Sequence, residues 1–141
     1  MYRRILLAVD LADEGEQPKG LVEALELVKL ADGELRLMNV QPLLPATFME
    51  YVPADFDAEQ EARAKTALDK VVGRIEAPNV KLSSKVSSGG VYHELLAEAA
   101  RWGADLVVVG SHRPVMADYL IGSNAKTIVA HANCSVLVVR A

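Results

Sequence analysis

Two kinds of hydrophobic pattern alternate along this chain. Short apolar segments predict five β-strands, at residues 5–9, 35–40, 80–86, 106–109 and 136–139. The first of them is continuously apolar, which is typical of a strand that is buried on both faces. The third is more polar and predicts a position near a sheet edge.

Between these segments, apolar residues recur at the spacing of one helix face. Leu21, Ala24, Leu25 and Val28, for example, stand at positions i, i+3, i+4 and i+7. Helices are predicted at residues 18–30, from 57 or 58 to 75, at 91–102 and at 123–132. The segment 41–56 holds prolines at 42, 45 and 53 and predicts a loop.

The predicted order is therefore a strict alternation of strands and helices. Such alternation favours βαβ units, which build a parallel sheet with helices on both faces. Because the crossovers are right-handed, the expected architecture is a doubly wound α/β fold with five strands. No linker or repeat interrupts it, and we expect residues 1–141 to form one domain.

Composition and charge exclude several classes of protein. The 141 residues carry a formal net charge of −4, which disfavours a nucleic-acid binder that relies on positive charge. No apolar run is long enough to cross a membrane, and the run at 5–9 is too short for a signal peptide, so we expect a cytoplasmic protein. Cys134 is the single cysteine, which excludes an internal disulfide. No His, Cys, Asp or Glu spacing indicates a metal site or a catalytic triad.

Several residues with candidate chemistry fall where predicted strands end. Asp10 follows the first strand, Val40 ends the second, Gly110 follows the fourth, and Gly122 with Ser123 opens the last helix. Ligands of doubly wound sheets bind beyond these carboxyl ends. Glycine backbone and a helix N-terminus suit an anion such as phosphate. From spacing alone, it is equally plausible that Gly110 ends a strand and Ser123 caps a helix.

Longer motifs carry a family resemblance. Val107-Val-Val-Gly-Ser-His-Arg, Leu120-Ile-Gly-Ser-Asn-Ala and His131-Ala-Asn-Cys-Ser-Val-Leu-Val-Val-Arg, with the opening Tyr2-Arg-Arg-Ile-Leu-Leu-Ala-Val-Asp, resemble the universal stress protein family, F/G-type bacterial subgroup. Some members bind ATP through the pattern G-x2-G-x9-G-[ST]. This chain departs from it in two ways: Arg113 stands at the second glycine, and eight residues instead of nine precede Gly122.

The resemblance implies an adenine nucleotide alpha-hydrolase-like fold with strand order 3-2-1-4-5 and a stress-response protein that binds an adenine nucleotide. The expected ligand is ATP with Mg²⁺ or Mn²⁺. Asp10 would contact the ribose, and Val40 would bind adenine through its backbone. Val109 and Gly110 would line the ribose and adenine side. The residues expected at the phosphates are Arg113, Gly122, Ser123 and Asn124.

The last strand, from Ser135 to Arg140, is expected at a sheet edge, where pairing with a second copy would give a homodimer. The resemblance also implies dimers, and a further protein partner is unknown. One alternative is slow ATP hydrolysis or autophosphorylation on Ser111 or Ser123. Another is an interaction dimer that has lost nucleotide binding.

Overall fold

The computed structural model describes residues 1–11, 17–43, 46–110 and 123–140. Its strands are β1 (Arg4–Ala8), β2 (Glu34–Gln41), β3 (Lys81–Ser88), β4 (Leu106–Gly110) and β5 (Ser135–Val139). Its α-helices are α1 (Leu21–Leu30), α2 (Phe56–Gly73), α3 (Val91–Trp102) and α4 (Ser123–His131). A 3-10 helix spans Ala46–Tyr51.

All neighbouring strands pair in parallel, in the order β3-β2-β1-β4-β5. This confirms the predicted α/β class, the doubly wound arrangement and the strand order. The polar strand β3 lies at one edge and β5 at the other, as the sequence predicts. The chain adds β2 and β3 on one side of β1 and then crosses to add β4 and β5 on the other side. The strand order therefore reverses between β1 and β4.

Each face of the sheet has its own apolar core. On one face Ile5 and Leu7 pack with residues of α1 and α2, including Val28 and Leu68. On the other face Leu6 packs with residues of α3 and α4: Leu95, Ala99, Ala125 and Ile128. Successive side chains of a strand point to opposite faces, so the continuous apolar run in β1 supplies both cores. Burying each large apolar side chain stabilises the fold by about 1.5–3 kcal/mol.

Helix α1 begins later than the sequence predicts. The expected start at Pro18 is wrong, because Lys19 and Gly20 form a turn in which the Pro18 carbonyl accepts a hydrogen bond from Leu21 N at 3.2 Å. Gly20 has a φ of +84°, and an added Cβ would lie 2.8 Å from Val108 Cγ1. Glycine therefore allows both the left-handed turn and its close approach to β4.

The segment 41–56 also differs from the predicted structureless loop. Strand β2 includes Gln41, and the 3-10 helix occupies Ala46–Tyr51. Leu43, Phe48 and Tyr51 are large apolar or aromatic side chains of this segment, and all three are exposed. Prolines prevent a long α-helix here, but they permit one short helical turn.

Hydrogen bonds to charged groups hold the polar edge strand β3 in place. Its serine hydroxyls bond to side chains from β2, α2 and α3: Ser83 to Arg36, Ser84 to Asp69 and Lys65, Ser87 to Glu94, and Ser88 to Glu61. The hydrogen bonds from Ser84 and Lys65 lower the pKa of the Asp69 carboxyl. Strand β3 thus has polar contacts on both faces, where the central strands have apolar ones.

Candidate functional site

Strand β1 is shorter than its neighbours at the carboxyl edge of the sheet. Its last residue, Ala8, pairs with Met38, yet β2 continues for three more residues to Gln41. Leu7 pairs with Val108, which places Ala8 level with Val109, and β4 continues for one more residue to Gly110. At about 3.3 Å per residue, these extensions measure roughly 10 Å on the β2 side and 3 Å on the β4 side.

The result is a notch above the end of β1. We define the notch by residues 9–11 at its floor, by Val40 and Gln41 on the β2 side, and by Val109 and Gly110 on the β4 side. It lies where the strand order reverses, which is the position that favours a ligand site in a doubly wound sheet.

Asp10 lies at the floor of the notch, and its side chain is exposed. The residue before it, Val9, is bonded to β2, because its N–H donates to the Met38 carbonyl at 2.8 Å. An exposed carboxylate at this place can accept hydrogen bonds from hydroxyl groups of a ligand.

Val40 presents its backbone to the notch. Residues two apart in a strand direct their backbone groups to the same side. The Met38 carbonyl bonds to Val9 on the β1 side, and the Gln41 carbonyl accepts from Gly89 N at 2.9 Å on the β3 side. The N–H and carbonyl of Val40 therefore point toward β1, just beyond its last paired residue, while the Val40 side chain packs into the α3 and α4 core.

On the β4 side, Val109 is buried and Gly110 lies beneath Lys19. A Cβ added at Gly110 would lie 3.0 Å from Lys19 Cβ and 3.2 Å from Lys19 Cδ. The turn that ends in Gly20 holds Lys19 in this place. Sequence reasoning missed Lys19, because a lone lysine before a helix gives no signal of its contact with a strand far along the chain.

The predicted phosphate residues are only partly covered by the structure. Arg113 and Gly122 lie outside the described residues, as do Ser111 and His112. Helix α4 begins at Ser123, as predicted, and Asn124 is its second residue. Because α4 follows β4, its first turn lies at the carboxyl edge, where free N–H groups and the positive end of the helix dipole favour an anion.

A buried amide also lies beside the notch. Asn39 is 6% exposed, and its Nδ2 donates to the Val9 carbonyl at 2.8 Å. Its Oδ1 accepts a hydrogen bond from Gln41 Nε2 at 2.5 Å. Sequence reasoning missed this residue too, although a polar residue within the otherwise apolar end of a strand was an available signal.

A separate cavity of about 400 Å³ opens at the opposite, amino edge of the sheet. Its lining includes Val28 and Lys29 near the end of α1 and Ala77 in the turn before β3, together with the acidic residues Asp32 and Glu76. Helix C-termini carry partial negative charge, and two carboxylates add to it. This cavity is therefore poorly suited to an anionic ligand, and the notch is the better candidate.

Other candidate chemistry in the described ranges is limited. No group of three or more His, Cys, Asp or Glu residues within them is placed to hold a metal ion. Cys134 is half-buried against the α3 and α4 core, and burial raises the pKa of its thiol. Among the helices that the structure describes, none has the length and hydrophobicity needed to cross a membrane.

Comparisons with known proteins agree with the fold. The model of the Universal stress protein family matches residues 1–140. Universal stress protein G of Shigella flexneri is 32% identical over 143 residues, which cover 99% of this chain and all of that protein. Universal stress protein UspA from Lactobacillus plantarum is 26% identical, with a TM-score of 0.74 over 99% of this chain and 98% of that one. A universal stress protein solved in complex with cAMP is 18% identical, with a TM-score of 0.67 over 98% of this chain and 97% of that one; at this identity the likeness shows the fold alone.

Proposed function

Because this chain belongs to the universal stress protein family, we propose that it binds an adenine nucleotide in the notch above β1. In this proposal a single cytoplasmic domain, residues 1–141, binds ATP with Mg²⁺ or Mn²⁺ and acts as a dimeric regulatory module in the stress response. The observation that carries it is the short β1, which leaves Asp10, Val40 and Gly110 around one opening at the switch point. A fold neighbour solved with cAMP supports the choice of an adenine nucleotide.

The proposed roles follow from the groups on each side of the notch. The Asp10 carboxylate accepts hydrogen bonds from the ribose hydroxyls, and the Val40 backbone offers a donor and an acceptor to the edge of adenine. Val109 and Gly110 line the β4 side. The first turn of α4, with Ser123 and Asn124, provides N–H donors for phosphate. Arg113 and Gly122 complete the phosphate contacts in the proposal.

Lys19 adds a cation that the sequence motifs do not include. Its stem lies on Gly110 and its side chain is exposed at the carboxyl edge. A charge-assisted hydrogen bond contributes about 1.5–3 kcal/mol, and exposure to solvent lowers this value. We therefore assign Lys19 a modest share of phosphate binding.

Bound nucleotide acts as a regulatory ligand in this proposal. A ligand shifts a conformational equilibrium only through its different affinity for the two states. Slow ATP hydrolysis and autophosphorylation on Ser111 or Ser123 stay predictions from sequence.

Calorimetric titration with Mg-ATP tests the proposal directly. The wild-type protein should bind Mg-ATP, and Asp10→Asn should bind it more weakly. Lys19→Ala should weaken ATP binding by roughly five- to tenfold and leave adenosine binding unchanged. Lys29→Ala, at the far end of α1, is the matched control and should bind as the wild type does. Folded protein that gives no heat at millimolar Mg-ATP would overturn the proposal.

The proposed dimer is tested separately. Strand β5 forms one edge of the sheet, and its residues are largely apolar. Such an edge favours pairing with a second copy of the same strand around a twofold axis. Sedimentation equilibrium should give twice the mass of the chain, and a monomer at all concentrations would contradict the dimer.

A further inference from the structure

Asn39 connects the ends of the two strands that border the notch. Its Nδ2 donates to the carbonyl of Val9, while Val9 N donates to the carbonyl of Met38. Both backbone groups of Val9 are therefore bonded to β2. Strand β1 ends at Ala8, so these two hydrogen bonds tie the first residue after the strand to β2.

The positions next to these hydrogen bonds are the proposed ligand contacts. Val9 directly precedes Asp10, the proposed ribose contact, and Asn39 directly precedes Val40, the proposed adenine contact. The Oδ1 atom of Asn39 also accepts from Gln41, on the far side of Val40. One buried amide thus bonds both to the residue before Asp10 and to the residue after Val40.

An amide is the group that this place requires. The Val9 carbonyl needs a donor and the Gln41 amide needs an acceptor, and asparagine supplies both. An ionised aspartate would place an acceptor against the Val9 carbonyl, and leucine would leave the carbonyl without a partner at a buried place. Burial to 6% exposure makes either loss more costly than at the surface.

We propose that Asn39 is a positioning residue that sets the separation between Asp10 and Val40 and so gives the site its preference for a ligand with ribose hydroxyls. This inference rests on the proposed nucleotide binding and adds to it a determinant of specificity. Asn39 itself does not touch the ligand. Its effect is transmitted through the backbone of Val9 and Val40.

The test compares two ligands that differ only at the ribose. Calorimetry measures the dissociation constants of Mg-ATP and of Mg-2′,3′-dideoxy-ATP for the wild type, for Asn39→Asp and for Asn39→Leu. Because Asp10 binds the hydroxyls through charge-assisted hydrogen bonds, the wild type should prefer ATP by about tenfold or more. Both Asn39 variants should reduce this preference to below about threefold. The control is Asn79→Asp, the same chemical change at an exposed position, and it should keep the wild-type ratio.

A purely structural role predicts a different outcome. If Asn39 only stabilises the fold, its variants weaken both ligands equally and the ratio stays at the wild-type value, which would overturn the inference. Far-UV circular dichroism confirms that each variant is folded before the ratio is measured.

A second measurement requires no nucleotide. Amide hydrogen exchange at Asp10 and Leu11 should be faster in Asn39→Asp than in the wild type and unchanged in Asn79→Asp. Unchanged exchange at these amides in Asn39→Asp overturns the positioning role even when ATP binds. If wild-type protein binds neither nucleotide, the proposed function and the ribose preference both fail, while the exchange rates still report whether Asn39 holds the end of β1.

Discussion

Asn39 and Glu98 are the two buried polar side chains in the described ranges, and the sheet separates them. Asn39 lies on the α1 and α2 face near the carboxyl edge, where its partners are a backbone carbonyl and the neutral amide of Gln41. Glu98 lies in α3 on the opposite face. Its partners are the guanidinium groups of Arg36, at 2.6 Å, and Arg101.

The free-energy cost of burying a polar side chain is compensated differently at the two sites. Glu98 is compensated by charge, and Arg36 extends the cluster because it also bonds to Ser83 and stacks over Trp102 at 4.4 Å. This cluster ties α3 to β2 and β3. Asn39 is neutral and fixes the ends of two strands. The comparison indicates that the charged cluster holds elements together, whereas the amide sets the local geometry of a site.

Replacing Glu98 with alanine should have the largest effect on stability. Glu98 is 2% exposed, and its loss leaves Arg36 and Arg101 without their carboxylate. Breaking a fully buried ion pair costs about 3–5 kcal/mol, and the exposure of Arg101 reduces this to about 2–3 kcal/mol. Urea unfolding measures the change, and nucleotide affinity of the folded variant should not change.

The matched control for this variant is Glu26→Ala on the exposed side of α1. It should change the free energy of unfolding by no more than about 0.5 kcal/mol. The comparison between the two polar sites fails if Glu98→Ala costs no more than Glu26→Ala, or if it weakens ATP binding as strongly as Asn39→Asp does.

Acid should remove the contribution of Glu98 but not that of Asn39. Burial raises the pKa of Glu98, but hydrogen bonds from Arg101 and Arg36 and their charges outweigh it, so the pKa lies below its ordinary value of 4.5. A lowered pKa stabilises the fold above the unfolded-state value, and this stabilisation is lost as the pH falls through the folded-state value. At pH 7 the free energy of unfolding of the wild type should be about 1 kcal/mol higher than that of Glu98→Gln. This difference should vanish in acid.

Urea titrations from pH 7 to pH 3 follow this difference. The stability difference between the wild type and Asn39→Leu should stay constant over the same range, because neither side chain titrates. A difference for Glu98→Gln that grows on acidification would contradict the sign of the pKa shift.

The smallest expected effect is the coupling between the two sites. Asn39 and Glu98 share no partner and lie on opposite faces, so the double variant Asn39→Leu/Glu98→Ala should lose the sum of the single losses to within about 0.5 kcal/mol. A larger coupling measured by urea unfolding would show that the charged cluster and the notch are one unit.

The fold follows from the sequence because its signals are local. The apolar run in β1 indicates that helices cover both faces of the sheet. The helical spacing of Leu21, Ala24 and Val28 predicts one of these helices, α1, which packs on one face. The start of α1 at Leu21 could not be predicted from the sequence in the same way. Gly20 is left-handed and lies where a side chain would meet Val108 of β4, a neighbour that is distant in sequence and that no nearby residue indicates.

The candidate site follows from the sequence only in part. Asp10, Val40, Val109 and Gly110 are predictable because strand ends in a parallel sheet meet at one edge. The notch itself is not, since its depth depends on how far β2 and β4 extend beyond β1. Lys19 and Asn39 could not be identified from sequence, because their roles depend on contacts with residues that are distant in the chain. Lys19 lies on Gly110, and Asn39 bonds to Val9. Arg113 and Gly122 remain predictions from sequence.

The unlike edges of the sheet limit how copies of this protein can assemble. Strand β3 has charged partners for its serines and carries Lys81 and Lys85, which discourage edge-to-edge pairing. Strand β5 presents a mostly apolar edge. In the proposed dimer, pairing through β5 uses that edge in both copies. Because the β3 edge disfavours further pairing, such an assembly closes at two copies and does not extend into a continuous sheet.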